Sequence, residues 1–225
     1  MIELFCDIET VPCADPDLIA LITEGIKPPK TMSKPETIAK WEAEEKPLVI
    51  SDAVAKTSLD GTYGRVCCIT YAFDGEPVQG IIDRREKKVL TQFYEVLHKR
   101  CVDIKQGIPQ RPVVIGHNIT GFDLRFLWQR SIIKGIKPTP LLPWDEKPWG
   151  EHIRDTMLMW NTSTEKRIRL HKLCIVLGVE SPKDKNGMDG GDVAGLWAKR
   201  EYDKIIAYGM DDTEAMRQCY RKLCI

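Results

Sequence analysis

The feature that most limits how this chain can fold is an alternation along its length. Residues 2–8 form a short apolar run with a charged end, which reads as a strand. Arg65–Phe73 (RVCCITYAF) reads as a second strand and residues 77–83 as a third, with Asp74-Gly75 between them suited to a hairpin turn. Residues 86–100 then place Val89, Leu90, Phe93, Val96 and Leu97 at helical spacing. A compact buried strand is expected over 112–116, a helix over 122–134, and a Pro-rich loop after it (Pro138, Pro140, Pro143, Pro148). Residues 153–160 fit a strand or a helix equally well. Leu170–Leu177 reads as a helix closed by Gly178, residues 180–192 as a Gly- and charge-rich loop, and two helices near 192–199 and 201–222 finish the chain. Strands come first and then alternate with helices, which predicts an α/β fold around a mixed sheet.

With 225 residues, the chain has room for one good-sized domain, and we expect a single domain spanning 1–225. Residues 12–62 stand apart. They hold six prolines and many charges, too few residues for a separate domain, and read as an excursion between the first two strands with short helices near 16–24 and 35–45. Lys+Arg and Asp+Glu both number 33, so there is no overall positive field, and any nucleic-acid binding must use a local basic patch. The eight cysteines form no CxxC pair and no zinc-finger spacing; Cys6, Cys67 and Cys68 sit in strand-like runs as small buried hydrophobes. The first residues carry an acid where a secretory leader would be basic, and no apolar run approaches 18 residues. The expectation is a soluble, cytoplasmic protein with no membrane contact.

Three acidic clusters carry the chemistry. Asp7 and Glu9 end the first strand, and strand alternation puts them on one face with Ile8 on the other. Such a pair is either solvated or bridged by a hard cation such as Mg²⁺ or Mn²⁺. Asp123 follows the turn Gly116-His117-Asn118-Ile119-Thr120-Gly121-Phe122 and opens a helix, a place where free N–H groups already favour an acid. Tyr208 and Asp212 lie four apart on one face of the last helix, and Asp211 is rotated too little to be set aside by geometry. Each cluster alone has an ordinary structural explanation. Four acids that can converge in an α/β fold are also the ligand set of a two-metal phosphoryl-transfer site.

The order D-x-E, N-x-x-x-F-D and Y-x-x-x-D resembles the three motifs of the DEDD (DnaQ-like) 3′–5′ exonuclease superfamily, whose fold is ribonuclease-H-like. The stretch from Asn118 to Asp123 is most similar to the proofreading domain of family B DNA polymerases. The whole chain, with 181–190 before the final helices, resembles a stand-alone relative of it, too short to include a polymerase domain. Ala207 stands where one branch of the superfamily has a His, whereas Tyr208 matches the tyrosine branch. The same spacing selects Asp212 over Asp211.

The resemblance implies a metal-dependent 3′–5′ exonuclease acting on DNA 3′ ends, single-stranded in the first instance, with an exoribonuclease of the same chemistry as the alternative and a silent nucleic-acid-binding module as a remoter one. It implies a replication or repair protein as a possible partner. Asp7, Glu9, Asp123 and Asp212 would hold two divalent ions, Mg²⁺ or Mn²⁺, and Tyr208 would orient the attacking water. Asn118 and Phe122 are substrate-binding candidates; Phe122 either stacks on a base or packs beneath its helix. His117 is read as a turn residue. Of the basic groups, 166–172 and Lys183 with Lys185 are expected to flank the acids and grip phosphates, ahead of Arg84, Arg85, Lys87 and Lys88.

Overall fold

The computed structural model describes residues 1–102, 107–162, 167–183 and 187–224. Five strands form one sheet: β1 (Glu3–Val11), β2 (Arg65–Phe73), β3 (Gln79–Ile82), β4 (Val113–Gly116) and β5 (Ile153–Asp155), in the order β3-β2-β1-β4-β5. β1 pairs antiparallel with β2 and parallel with β4; β3 is antiparallel to β2 and β5 parallel to β4. The sheet is therefore mixed, as the alternation of elements implies.

β1 is central and its side chains split cleanly between two faces. Leu4, Cys6 and Ile8 face a core shared with Val89, Leu90 and Phe93 of α4 (Glu86–Cys101) and Leu124 and Leu127 of α5 (Asp123–Ile133). Phe5 faces the other way, onto Met216 and Tyr220 of the long closing helix. Asp7 and Glu9 share Phe5's parity, so the same alternation that buries Phe5 turns both acids toward that helix. β2 is covered on both faces, which is why it reads as a nearly unbroken apolar run. Its register slips between Glu9 and Thr10, where Cys67 is the extra residue of a bulge and its thiol points at the Glu9 carbonyl, 3.3 Å away. Cys6, Cys67 and Cys68 are free and buried, as expected of them.

Between β1 and β2 the excursion forms three helices, α1 (Pro16–Gly25), α2 (Pro35–Glu44) and α3 (Lys46–Lys56), then a short 3₁₀ turn. The third corrects the expectation of two. Pro47 fits its first turn, but α3 is only half-buried: Ile50, Ala53 and Val54 form its inner face while Leu48 and Val49 are exposed, so its apolar residues do not sort cleanly onto one stripe. Residues 153–160 resolve into both alternatives: β5, then α6 (Thr156–Asn161). The chain continues through α7 (Leu170–Leu177), ended by Gly178 at φ 64°, then α8 (Val193–Lys199) and α9 (Tyr202–Leu223). Among the described residues no helix is long and apolar enough to cross a membrane.

A buried ion pair ties this frame together. Arg130 on α5 makes a two-point contact with Glu86 at the start of α4, both bonds 2.8 Å. Glu86 also accepts the Val66 N–H at the start of β2, and Arg130 donates to the Gly61 carbonyl at the end of the excursion. Without Arg130, Glu86 keeps only the half-buried Lys134 Nζ at 3.3 Å and the Val66 N–H, so Arg130→Met should destabilise the protein by about 3 kcal/mol in urea unfolding, and pairing it with Glu86→Leu should recover most of that. A loss below about 1 kcal/mol for the single variant would contradict this account of the pair.

Candidate active site

Asp7 and Glu9 reach the site from the middle of β1, and Asp212 reaches it from α9. Each offers a carboxylate oxygen, and those oxygens lie within 4.8 Å of one another. Asp212, and not its neighbour Asp211, completes this group. Glu9 is buried and the other two are half-buried.

α9 comes this close to the sheet because Gly209 has no side chain. A Cβ there would sit 3.0 Å from Thr70 Cγ2 and 3.6 Å from Glu9 Cγ. The Thr70 hydroxyl donates to the Gly209 carbonyl at 3.0 Å and lies 2.7 Å from the Thr213 hydroxyl. Gly209 and Thr213 are one turn apart, so the contact sets both the height and the rotation of the helix. Tyr208 and Asp212 are thereby aimed at the acids of β1, and the Tyr208 hydroxyl hydrogen-bonds Asp212.

Asp123 arrives by a different route. At the end of β4, Gly116 lets Ile119 fold back over it; a Cβ would meet the Ile119 side chain at 2.5 Å. Asn118 turns the chain with φ 62°, a left-handed conformation that Asn tolerates. Asp123 then opens α5, is buried, and accepts the Ile8 N–H at 3.1 Å, a bond that fixes it beside Asp7. Sequence reasoning missed the residue that holds this turn. Asp155, 1% exposed, accepts the N–H groups of Asn118 (2.9 Å) and Thr120 (3.3 Å), the Thr120 hydroxyl (2.8 Å) and the Met157 N–H (3.1 Å). Its local role, capping α6, is visible in the chain as an acid before a helix; its bonds to residues 35 and 37 positions away are not.

The electrostatics are those of crowded acids. Burial first, then the charges of Asp123, Glu9 and Asp212, raises Asp7 well above the ordinary carboxylate range. Burial, then Asp212 and Asp123, does the same to Glu9. Burial pushes Asp123 up to about 8 against the pull of two backbone N–H bonds, and Asp212 up to about 6 against its bond from Tyr208. Tyr208 is driven up by burial and by the Asp212 and Glu9 charges, so it is a neutral phenol at any working pH. The charges that act most strongly on Asp7 and Glu9 are other carboxylates, and this all-oxygen set fits a small hard divalent cation.

Around the acids, Phe122 is half-buried and its ring packs on Phe126, centroids 5.4 Å apart, which matches the packing alternative. His117 bonds Thr156 and the Ile168 carbonyl through its two ring nitrogens, and burial lowers its pKa; it is a turn residue. A cleft of 360 Å³ opens beside Tyr208 and Asp212, and Arg169, His171 and Lys183 line it. Lys166 and Lys185 lie outside the described residues. Arg85 and Lys88 are both paired with Asp83.

Residues 65–216 match the family described as "Predicted 3'-5' exonuclease related to the exonuclease domain of PolB". The chain belongs to that family. The matched span of this exonuclease-family chain holds Asp123, Tyr208 and Asp212; Asp7 and Glu9 precede it, and their membership of the site rests on the geometry above. No curated protein matches. Among solved structures, the family B DNA polymerase of the hyperthermophilic archaeon Pyrobaculum calidifontis is similar, with a TM-score of 0.60 at 15% identity over 100% of this chain. The chain spans 24% of that polymerase's length, and the likeness is one of fold, the ribonuclease-H-like fold of a polymerase exonuclease domain. The family implies a nucleic-acid substrate and divalent-metal use.

The raised carboxyls have a consequence for stability. An acid whose folded pKa is raised binds its proton more tightly when folded, so metal-free folding stability falls as pH climbs from the unfolded value near 4 through about 6 (Asp212) and about 8 (Asp123). In EDTA at pH 8, Asp7→Asn should melt higher than the wild type, with the gap closing toward pH 5. Thermal melts showing a gap independent of pH would refute the repulsion.

Proposed function

We propose that the protein is a 3′–5′ exonuclease that releases nucleotides from the 3′ end of single-stranded DNA, using two divalent ions, Mg²⁺ or Mn²⁺. One observation carries this reading: Asp7 and Glu9 of the first strand and Asp212 of the closing helix bring carboxylate oxygens within 4.8 Å of one another, an arrangement otherwise costly to build, with Asp123 of the strand-to-helix turn held beside Asp7 by the Ile8 N–H. Like charges gathered in a partly buried site are destabilising unless a cation or substrate chemistry requires them. The family match supports the nuclease class. The exonuclease unit is taken to be the whole span 1–225, with residues 12–62 inserted in it.

In this reading Asp7, Glu9, Asp123 and Asp212 would hold the ions. When bound, the ions supply a water of lowered pKa and stabilise the departing 3′ oxygen. Tyr208, held neutral, positions that water by a hydrogen bond and is not the base. Asp212 accepts the Tyr208 hydroxyl and so fixes the phenol's direction. Asn118 and Lys183 would contact the strand near the acids, while Phe122, packed on Phe126, shapes the turn that carries Asn118. A cleft of 360 Å³ opens beside Tyr208 and Asp212, within the range that small-ligand sites occupy.

The test is digestion of a 5′-labelled single-stranded DNA with Mg²⁺, with and without EDTA, beside a matched RNA that reports on the 2′-hydroxyl. A ladder shortening from the 3′ end that EDTA abolishes is expected. Asp7→Asn and Asp212→Asn should each lower the rate by more than about 100-fold with the fold intact. Full activity in either would end the assignment. Tyr208→Phe should cost about tenfold, the worth of one well-placed hydrogen bond, while metal binding persists; an unchanged rate would make Tyr208 a bystander.

A further inference from the structure

We propose that Cys174 and Cys219 are a redox-active pair that a peroxide converts to a disulfide, stapling α7 to α9. The inference goes beyond the exonuclease reading and does not depend on it.

The two sulfurs lie 3.6 Å apart, and both residues are 0% exposed. They are 45 positions apart in the chain, one on α7 and one on α9, and share a small cluster with Leu173, Val179 and Ala215. Among the described residues no other two cysteine sulfurs are in hydrogen-bonding contact. A disulfide holds its sulfurs about 2.05 Å apart, so the pair must close by about 1.5 Å.

α7 is the element that can give. Its eight residues bury only Leu173 and Cys174, while Ile175 and Val176 are exposed. α9, by contrast, is seated on the sheet through Gly209, Thr70 and Thr213. A helix with so little buried opens locally at small cost, and that opening lets a small oxidant reach a thiol covered in the closed structure.

The contact also prepares the chemistry. The hydrogen bond from the Cys174 thiol lowers the pKa of Cys219 and raises that of Cys174, so Cys219 ionises first. Its thiolate attacks one oxygen of hydrogen peroxide and the O–O bond breaks. The departing hydroxide takes the proton that the thiol released and leaves as water, and Cys219 becomes a sulfenic acid. The Cys174 sulfur then attacks the Cys219 sulfur and the S–O bond breaks. That hydroxide leaves with the Cys174 proton as a second water. Two thiols and one peroxide become one disulfide and two waters, and a dithiol reductant reverses the change.

The position of the pair gives the staple something to act on. Cys219 follows Asp212 by seven residues, about two turns along α9, and His171 of α7 lines the same cleft as Tyr208 and Asp212. Oxidation therefore ties together two elements that line one cleft.

The experiment treats the full chain, and Cys224→Ser, which lacks the one exposed thiol, with hydrogen peroxide. Tryptic mapping of the full chain should show the peptide 173–183 joined to 218–221, and Cys224→Ser should lose two thiols when counted after unfolding. Dithiothreitol should restore both. The oxidised protein should melt roughly 5–15 °C above the reduced one, as expected for a bridge that closes a loop of this length. Amides of α7 should exchange with solvent at least about tenfold more slowly after oxidation. Both differences should vanish in Cys174→Ala and in Cys219→Ala, each compared with itself before and after peroxide so that its own packing loss cancels. Thiols that all survive peroxide, or thiol loss without the joined peptide, would overturn the pair.

Discussion

Mutual repulsion among Asp7, Glu9, Asp123 and Asp212 is the constraint that the surrounding structure has to withstand. Burial first, and for Asp7 and Glu9 the neighbouring site carboxylates as well, raises the pKa values of all four. Without a cation, nothing about these side chains favours their meeting; the scaffold brings them there and keeps them. β1 is pinned by β2 on one side and β4 on the other, and its even-numbered residues are locked into the larger core. Asp7 and Glu9 cannot turn away without turning Leu4, Cys6 and Ile8 out of that core.

The other acids are held by devices of equal stiffness. The Ile8 N–H, left over beside the central strand, is taken by Asp123, so a backbone bond that folding must satisfy doubles as the clamp on the site. Asp155 ties the turn before Asp123 to the start of α6 through four donors. Gly209, Thr70 and Thr213 form the flush contact that brings α9 onto the sheet. These residues touch no substrate in the proposed chemistry, yet the spacing of the carboxylates depends on them. Part of what the core gains goes to holding these acids together against their burial and repulsion.

Much of this was legible one element at a time. The period-2 pattern of β1 placed Asp7 and Glu9 on one face, because strand geometry leaves no other option once Leu4, Cys6 and Ile8 are buried. The four-residue spacing of Tyr208 and Asp212 put them together on α9 for the same kind of reason. What stayed hidden had no local signature. α3 leaves Leu48 and Val49 exposed beside the half-buried Ile50, Ala53 and Val54, so its sequence shows no clean stripe. Residues 153–160 carry a strand and a helix back to back, too short for either period to register. Asp155 and Thr70 carried no local mark of their long-range contacts because their partners are 35 and 143 positions away.

By itself, then, the chain of residues determined which acids exist, which face of its own element each one occupies, and the tyrosine-branch spacing of the last motif, since these follow from backbone geometry within a few residues. Tertiary structure alone decided that Asp7, Glu9 and Asp212 meet, and that Arg169, His171 and Lys183 line the same cleft as Tyr208 and Asp212. Those outcomes depend on the height and rotation of one helix against a sheet, and side-chain contacts between segments far apart in the chain set both.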